Sequence, residues 1–379
     1  MCYGKSRLTF ILTLMPTLFA CLAFTSVQAA TVLYNDRVVI VDDTLQDPTD
    51  LWVKPADLTR INGFVLKPEG ACLDEVCIPI IQDGDNAIVI TRAGQQWFNL
   101  VAFADKLQQA YVADYASDSW SFGEIPLNRD GFLRDAIAPD FELQDRQGNL
   151  VRLSDFRGKK VYLGTWATWC GCRLDVPSWQ EVYDELKGQN FEVILVAEDT
   201  GGEAVAGPYY DNANVTYTAL IDPQHKISSL YNFVNVPSGA WIDEEGRIMR
   251  INEGTYAARH GSIGTDEYRP AVRDWVMNGA KSRYVWNAEQ VAAHIKVRTP
   301  DNEKAEPAFK LGLYFFAAND KGKADTYWKM AQQLSPDNIN YLRQDLSFTE
   351  ETSFGPTFMS KRQELIDAGG YYAPLQLEN

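Results

Sequence analysis

The chain has 379 residues, a length that sets an expectation of two or three domains. With 46% hydrophobic and 12% aromatic residues against 23% charged ones, it holds ample material for a core and is neither disordered nor fibrous. A net charge of −16 repels phosphate backbones and anionic headgroups, so nucleic acid is not an expected partner. The three histidines, His225, His260 and His294, lie far apart without neighbouring ligand types. They read as ordinary surface or packing residues, and neither a metal centre nor another cofactor is expected.

Residues 1–29 follow the order of a secretory signal peptide. Lys5 and Arg7 precede an apolar stretch from Leu8 to Phe24, and Val27-Gln28-Ala29 supplies small side chains for cleavage, so the mature chain is expected from Ala30. Losing two basic residues and no acid takes the charge from −16 to −18. Pro16 and the short apolar run argue against a permanent span, which needs about 20 apolar residues. Lipoprotein anchoring at Cys21 is the alternative, opposed by bulky Phe19 and the apolar residues that follow. A periplasmic or secreted product is expected. Its four remaining cysteines form two close pairs, Cys72 with Cys77 and Cys170 with Cys172, which read as disulfides in an oxidising compartment.

Residues 30–135 carry short alternating runs, such as Arg37 to Val41 and Ala87 to Thr91, split by turn clusters at Asp47-Pro48, Lys67 to Gly70 and Asp83 to Asn86. This texture predicts a small β-rich or α+β domain. Segments from Leu51 and from Gln96 share an aromatic start and a helix-like continuation, a faint internal repeat. Cys72 and Cys77 flank a turn-rich segment and read as a structural staple, with a second redox pair as the alternative.

Residues 136–275 alternate strand and helix, which predicts an α/β domain. Lys160 to Thr165 is a buried strand, Pro177 to Gly188 a helix, and Phe191 to Ala197 another strand. A strand at Val215 to Leu220 and the pair of strands around Glu244-Glu245-Gly246 are expected to complete a mixed sheet. Residues 276–379 are helical. Within them, 305–338 place Leu311, Gly312, Phe315, Ala324, Trp328, Ala331 and Pro336 on a 34-residue period, one tetratricopeptide-like hairpin in which Ala308 replaces the first aromatic. Such a lone hairpin reads as a packing element more readily than as a peptide groove.

The chemistry is carried by Trp166-Ala-Thr-Trp-Cys-Gly-Cys-Arg-Leu-Asp-Val-Pro177, where a buried strand gives way to a helix. A helix start offers unpaired amides and partial positive charge that stabilise a thiolate. The chain here resembles the TlpA/ResA-like branch of the thioredoxin superfamily, extracytoplasmic thiol:disulfide oxidoreductases. The match runs from Ala138-Pro139-Asp140-Phe141 through Leu153 to Lys159 and Trp166 to Arg173, then Val236-Pro237 and Trp241 to Ile248. The resemblance implies a thioredoxin-like fold, attack by Cys170 at the exposed end of the strand, and resolution by Cys172. It also implies proton handling by Asp175, for which a solvated helix carboxylate is the bland alternative. Trp169, Gly171, Val236 and Pro237 would form the substrate face, with Pro237 at the position of the family's cis-proline.

Two departures stand out. One residue, Gly171, separates cysteines that the family separates by two, and it is expected to supply the backbone latitude that the small ring requires. Gly164 occupies the place of thioredoxin's buried aspartate. Gly201-Gly202 and Gly207-Pro208 are expected to shorten the family's second long helix. The expected activity is exchange of the Cys170-Cys172 pair with protein or small-molecule thiols and disulfides, together with an unidentified electron donor. A redox-linked assembly or Cu(I)-binding module and a thiol peroxidase are the alternatives.

Overall fold

The computed structural model describes residues 1, 27–34, 37–80, 87–349, 354–372, 375 and 377. Lys5, Arg7, Cys21 and most of the expected signal peptide lie outside the described residues, as does the turn cluster at 83–86. Among the described residues no helix is long and apolar enough to cross a membrane.

The N-terminal region is a seven-stranded sheet in the order Val89–Arg92, Gln95–Asn99, Trp52–Val53, Arg37–Leu45, Val27–Tyr34, Ser119–Phe122, Tyr111–Asp114. Only Val27–Tyr34 and Ser119–Phe122 run parallel. The first strand begins at Val27, so the expected cleavage point after Ala29 falls inside it. The two similar segments each form a strand and a short helix, Leu58–Ile61 and Leu100–Lys106, and their strands pair antiparallel with Trp52 opposite Asn99. A separate three-stranded sheet sets Cys72 opposite Cys77, which are joined as a disulfide.

The α/β region is a five-stranded sheet ordered Thr218–Ile221, Phe191–Ala197, Lys160–Trp166, Ser238–Ile242, Ile248–Glu253. The first three strands are parallel, and the last two are antiparallel to their neighbours. Phe191–Ala197 is buried at every position, as a central parallel strand covered on both faces must be. One face is covered by helix Val176–Leu186, through Trp179, Val182 and Leu186, and by helix Tyr268–Asn278. The other face takes Phe132, Ile227, Tyr231 and Phe233.

That packing corrects the expected boundary at 275/276, which falls inside helix Tyr268–Asn278. Trp275 stacks on Trp241 at 5.1 Å and Val276 joins the same core, so the helix belongs to the α/β domain to its end. The boundary at 135/136 is likewise crossed by packing, because Phe132 meets Tyr231 at 5.8 Å. Helix Glu203–Asn212 carries Gly207-Pro208 within it.

Helices Pro300–Ala317 and Lys321–Leu334 form an antiparallel hairpin. A Cβ on Gly312 would come within 2.4 Å of Trp328 Cδ1, so this crossing requires glycine. The hairpin shares a core with Leu33 and Val112 of the N-terminal sheet. Helices Ile339–Leu346 and Pro356–Asp367 follow, and the first is tied to the α/β domain by the Ile339 amide donating to the Val234 carbonyl at 2.8 Å.

Candidate active site

Strand Lys160–Trp166 delivers the Ala167-Thr168-Trp169 turn to the carboxyl end of the sheet, and Cys170 caps a 3₁₀ turn, Gly171–Asp175, that runs straight into helix Val176–Leu186. Cys170 and Cys172 are paired as a disulfide. The Cys172 amide donates to Cys170 Sγ at 3.2 Å, so a backbone dipole is aimed at the first sulfur. On its other side Cys170 Sγ lies 3.4 Å from the Val236 carbonyl oxygen, and the Val236–Pro237 bond is cis. Thr165 holds that approach in register: its hydroxyl donates to the Ser238 carbonyl at 3.3 Å and accepts from the Ser238 amide at 3.2 Å.

Residues three apart eclipse in a 3₁₀ turn, so Asp175 shares a face with Cys172. The solvated reading of Asp175 is overturned, because the residue is 2% exposed. Its Oδ2 accepts from the Ala257 amide at 2.7 Å, and its Oδ1 accepts from the Ala258 amide at 3.1 Å and is hydrogen-bonded to His260 Nε2 at 2.8 Å. Burial pushes the Asp175 pKa upward, while these donors, the Ala257 amide foremost, pull against it.

The expectation of an exposed nucleophile is also overturned, since Cys170 is 2% and Cys172 1% exposed. The cover comes from the C-terminal region. Arg343 donates to the Trp169 carbonyl and lies over the rings of Trp169, Phe354 and Phe358 at 4.9, 5.1 and 4.3 Å. Trp169 Nε1 donates to Gln344 Oε1 at 3.2 Å, so the side chain expected to meet substrate is engaged in an internal contact. The Tyr372 hydroxyl donates to the Val236 carbonyl at 2.6 Å, and Asn235 Nδ2 donates to the Tyr371 carbonyl at 3.0 Å.

Gly171 does not use a left-handed backbone, since its φ lies outside that range, and an added Cβ would stand 2.7 Å from Ile263 Cδ1, the tip of a side chain that can shift. Gly164 is a matter of space. With Gly239 opposite it, it admits the Tyr162 ring, which stacks on Trp179 at 3.7 Å and fills the site where thioredoxin's aspartate would project. Asp199 accepts from the Thr168 amide and hydroxyl at 2.8 and 2.7 Å, bracing the turn before Cys170, and burial pushes its pKa up to about 6.

Of the residues singled out in sequence, Trp169, Cys170, Gly171, Cys172, Asp175, Val236 and Pro237 converge here, whereas Cys72 and Cys77 sit in the separate N-terminal sheet. Sequence reasoning missed His260, Arg343, Tyr372 and Asp199. Asp199 left a trace in the acid pair that ends an apolar strand; the others left none. His225 and His294 do pack, against Phe309 at 5.1 Å and Trp286 at 3.8 Å, but His260 is bonded to the site's carboxylate.

The buried acids beside the site give a pH prediction. Burial, and then the charge of Asp222, raise the pKa of Glu198, which accepts from the Ser228 amide at 2.8 Å. A folded-state pKa above the unfolded value means that the associated stability is complete below the ordinary carboxylate range and is lost as pH rises through the raised value. Burial lowers the pKa of His225 to about 3, so above about pH 6.5 that ring is neutral folded or unfolded and adds no slope. Between about pH 6.5 and 8 the α/β domain should lose stability at up to about 1.4 kcal/mol per pH unit, and the loss should level off above that, where Glu198 is ionised folded or unfolded. Thermal melts of Glu198→Gln should show a flatter fall; an equal slope in the variant assigns the loss to another group.

A three-plus-two mixed sheet, a cysteine pair where a strand passes into a helix, and a cis-proline facing it define a thioredoxin-like domain. The AhpC/TSA family model matches residues 135–251. The thiol-disulfide oxidoreductase ResA of Geobacillus kaustophilus (strain HTA426) is 35% identical over 121 residues, 32% of this chain and 69% of the relative. ResA of Geobacillus thermodenitrificans (strain NG80-2) is 33% identical over 123 residues, 32% and 69% of the two chains. Among solved structures, the pneumococcal exposed lipoprotein thioredoxin Etrx1 from Streptococcus pneumoniae strain TIGR4 is 29% identical, covering 37% of this chain and 98% of that one at a TM-score of 0.29. The chain belongs to the TlpA/ResA-like redoxin family.

Proposed function

We propose that the protein is a thiol:disulfide oxidoreductase in which Cys170 exchanges with substrate sulfur, Cys172 resolves the mixed disulfide and Asp175 handles the thiol proton. The observation that carries this reading is the pairing of Cys170 with Cys172, with a backbone amide aimed at the first sulfur and a buried carboxylate on the face of the second. Thiolate is the attacking species, and the Cys172 amide favours negative charge on Cys170. Arg173, which donates to the Cys170 and Thr168 carbonyls at 3.0 and 3.2 Å, adds positive charge beside the loop. The Val236 carbonyl, next to Pro237, is the acceptor to which an extended substrate would bond once Tyr372 has left it. Gly171 and Trp169 complete that face when Arg343 and Gln344 withdraw.

Substrates are protein or small-molecule thiols and disulfides, with an electron donor of the same chemistry. The internal disulfide supports exchange over Cu(I) retention. The order of basic, apolar and small residues in 1–29 supports export to the periplasm or beyond the cell. The helical hairpin's shared core with Leu33 and Val112 supports a packing role for it.

A redox titration with thiol mapping tests the reading. Mild reductant should open Cys170-Cys172 while Cys72-Cys77, which joins directly opposed residues of two paired strands, stays bonded. Cys72→Ser should destabilise the N-terminal domain by about 2 kcal/mol, the entropy of so short a loop, and leave exchange intact. Opening of Cys72-Cys77 first, or loss of exchange without loss of stability in Cys72→Ser, would transfer the redox role to the N-terminal pair.

A further inference from the structure

The Asp175 carboxylate is sealed from water, yet a group that takes a thiol proton must discharge it and be recharged. Three donors hold the carboxylate, and all three come from residues 257–260. Two of them are backbone amides, which donate hydrogen bonds but do not carry protons away. Among the described residues, His260 is the one titratable side chain hydrogen-bonded to Asp175. Its side chain is 20% exposed against 3% for that of Asp175, so the ring spans the distance from the sealed carboxylate to water. Imidazole has two nitrogens and titrates near neutrality, which lets it take a proton on one side and release another on the opposite side.

We propose that His260 is the proton relay between Asp175 and solvent, a positioning residue that acts through Asp175. The proposal rests on the proton-handling reading of Asp175 given above. In the resolving step Cys172 gives its proton to Asp175, and its sulfur forms a bond to Cys170 sulfur. The bond between Cys170 and the substrate sulfur breaks, and the electron pair leaves on the substrate thiolate. With the ring in its Nδ1–H form, His260 Nε2 then takes the proton from Asp175 while Nδ1 gives its own to water. The products are an internal disulfide, an ionised Asp175 and an Nε2–H that donates to it. An ionised carboxylate only accepts, so in this product state the 2.8 Å contact beside the paired cysteines is a bond from Nε2–H to Asp175. Reduction runs the same steps inward.

Tyr162, Tyr217 and Tyr256 face Asp175 from neighbouring elements, and burial raises the pKa of all three, that of Tyr256 to about 12. On the loop itself Arg259 is paired with Asp266 at 3.2 Å, and both are exposed. Cys172 is the remaining titratable neighbour, and it is the proton's source.

The test is a single turnover of the reduced full-length protein with oxidised glutathione, following the release of the first and second glutathione separately. His260→Ala and His260→Gln should leave the first release at the wild-type rate and slow the second about tenfold, a loss at the low end for removal of a proton-transfer group. The amide side chain of His260→Gln would still donate to Asp175 yet could not relay, so a hydrogen-bond role alone predicts full activity for that variant. Imidazole added to the buffer should restore the second release in His260→Ala and do nothing for His260→Gln. A wild-type rate in His260→Gln, or no rescue of a slowed His260→Ala, overturns the relay. Asp175→Asn in the same assay separates the two readings. If it slows the second release and the His260 variants do not, the relay alone fails; if it matches the wild type, the role of Asp175 fails and the relay with it.

Discussion

Cys172→Ser should stop the reaction at its covalent midpoint. With oxidised glutathione, the variant is expected to accumulate one glutathione on Cys170 and to lose turnover by about a thousandfold or more, the scale on which removal of a covalent-step residue acts. The geometry explains why the first half survives. The group aimed at Cys170 Sγ is the backbone amide of residue 172, at 3.2 Å, and a serine retains it. The Val236 carbonyl at 3.4 Å from the same sulfur is untouched. What is lost is the second sulfur, without which no internal disulfide can form and no substrate thiolate can leave. Cys170→Ser should give no adduct at all, because it is Cys170 Sγ that lies beside the Val236 carbonyl, whereas Cys172 Sγ faces the Ala167 carbonyl within the turn. Intact-mass measurement distinguishes the outcomes. An adduct on Cys172 in Cys170→Ser, with none on Cys170 in Cys172→Ser, would reverse the two roles.

What could be read in the sequence was what is local. A strand-to-helix junction bearing two cysteines is written in a dozen consecutive residues, and the placement of Asp175 three residues after Cys172 follows from the geometry of one turn. The core strand Phe191–Ala197 announces itself as an unbroken apolar run. What could not be read is tertiary. His260 reaches Asp175 across 85 residues of sequence, and Arg343 reaches Trp169 across 174. Neither contact leaves a periodicity or a spacing. Gly171 shows a limit of local reasoning: its small size suggested backbone freedom, but its φ lies outside the left-handed range, and its near neighbour is Ile263 from a distant loop. The boundary at 275/276 failed for a related reason. The chain turns polar and helical near there, yet Trp275 is held by its stack on Trp241, which composition does not reveal.

Loosening the C-terminal cover should speed access to the dithiol, and the contacts of Arg343 and Tyr372 at the Trp169 and Val236 carbonyls set the size of the effect. Arg343 is a buried cation that meets one carbonyl and three aromatic faces, and among the described residues its Nε has no partner. Removing it deletes a charged hydrogen bond and cation–π contacts that together are worth about 2 kcal/mol, roughly thirty-fold in an opening equilibrium. The Tyr372 hydroxyl contributes one hydrogen bond to the Val236 carbonyl, about 1 kcal/mol or roughly fivefold. Alkylation of the reduced protein by iodoacetamide should therefore accelerate at Cys170 in both Arg343→Ala and Tyr372→Phe, more in the first. The two variants also guard against a confounding effect. Loss of the guanidinium removes positive charge near Cys170 and by itself would slow a thiolate reaction, whereas Tyr372→Phe leaves every charge in place. Acceleration in Tyr372→Phe thus reports opening alone. If neither variant reacts faster than the wild type, the reagent reaches Cys170 without displacement of the 339–372 segment, and the Val236 carbonyl is open to substrate by another route.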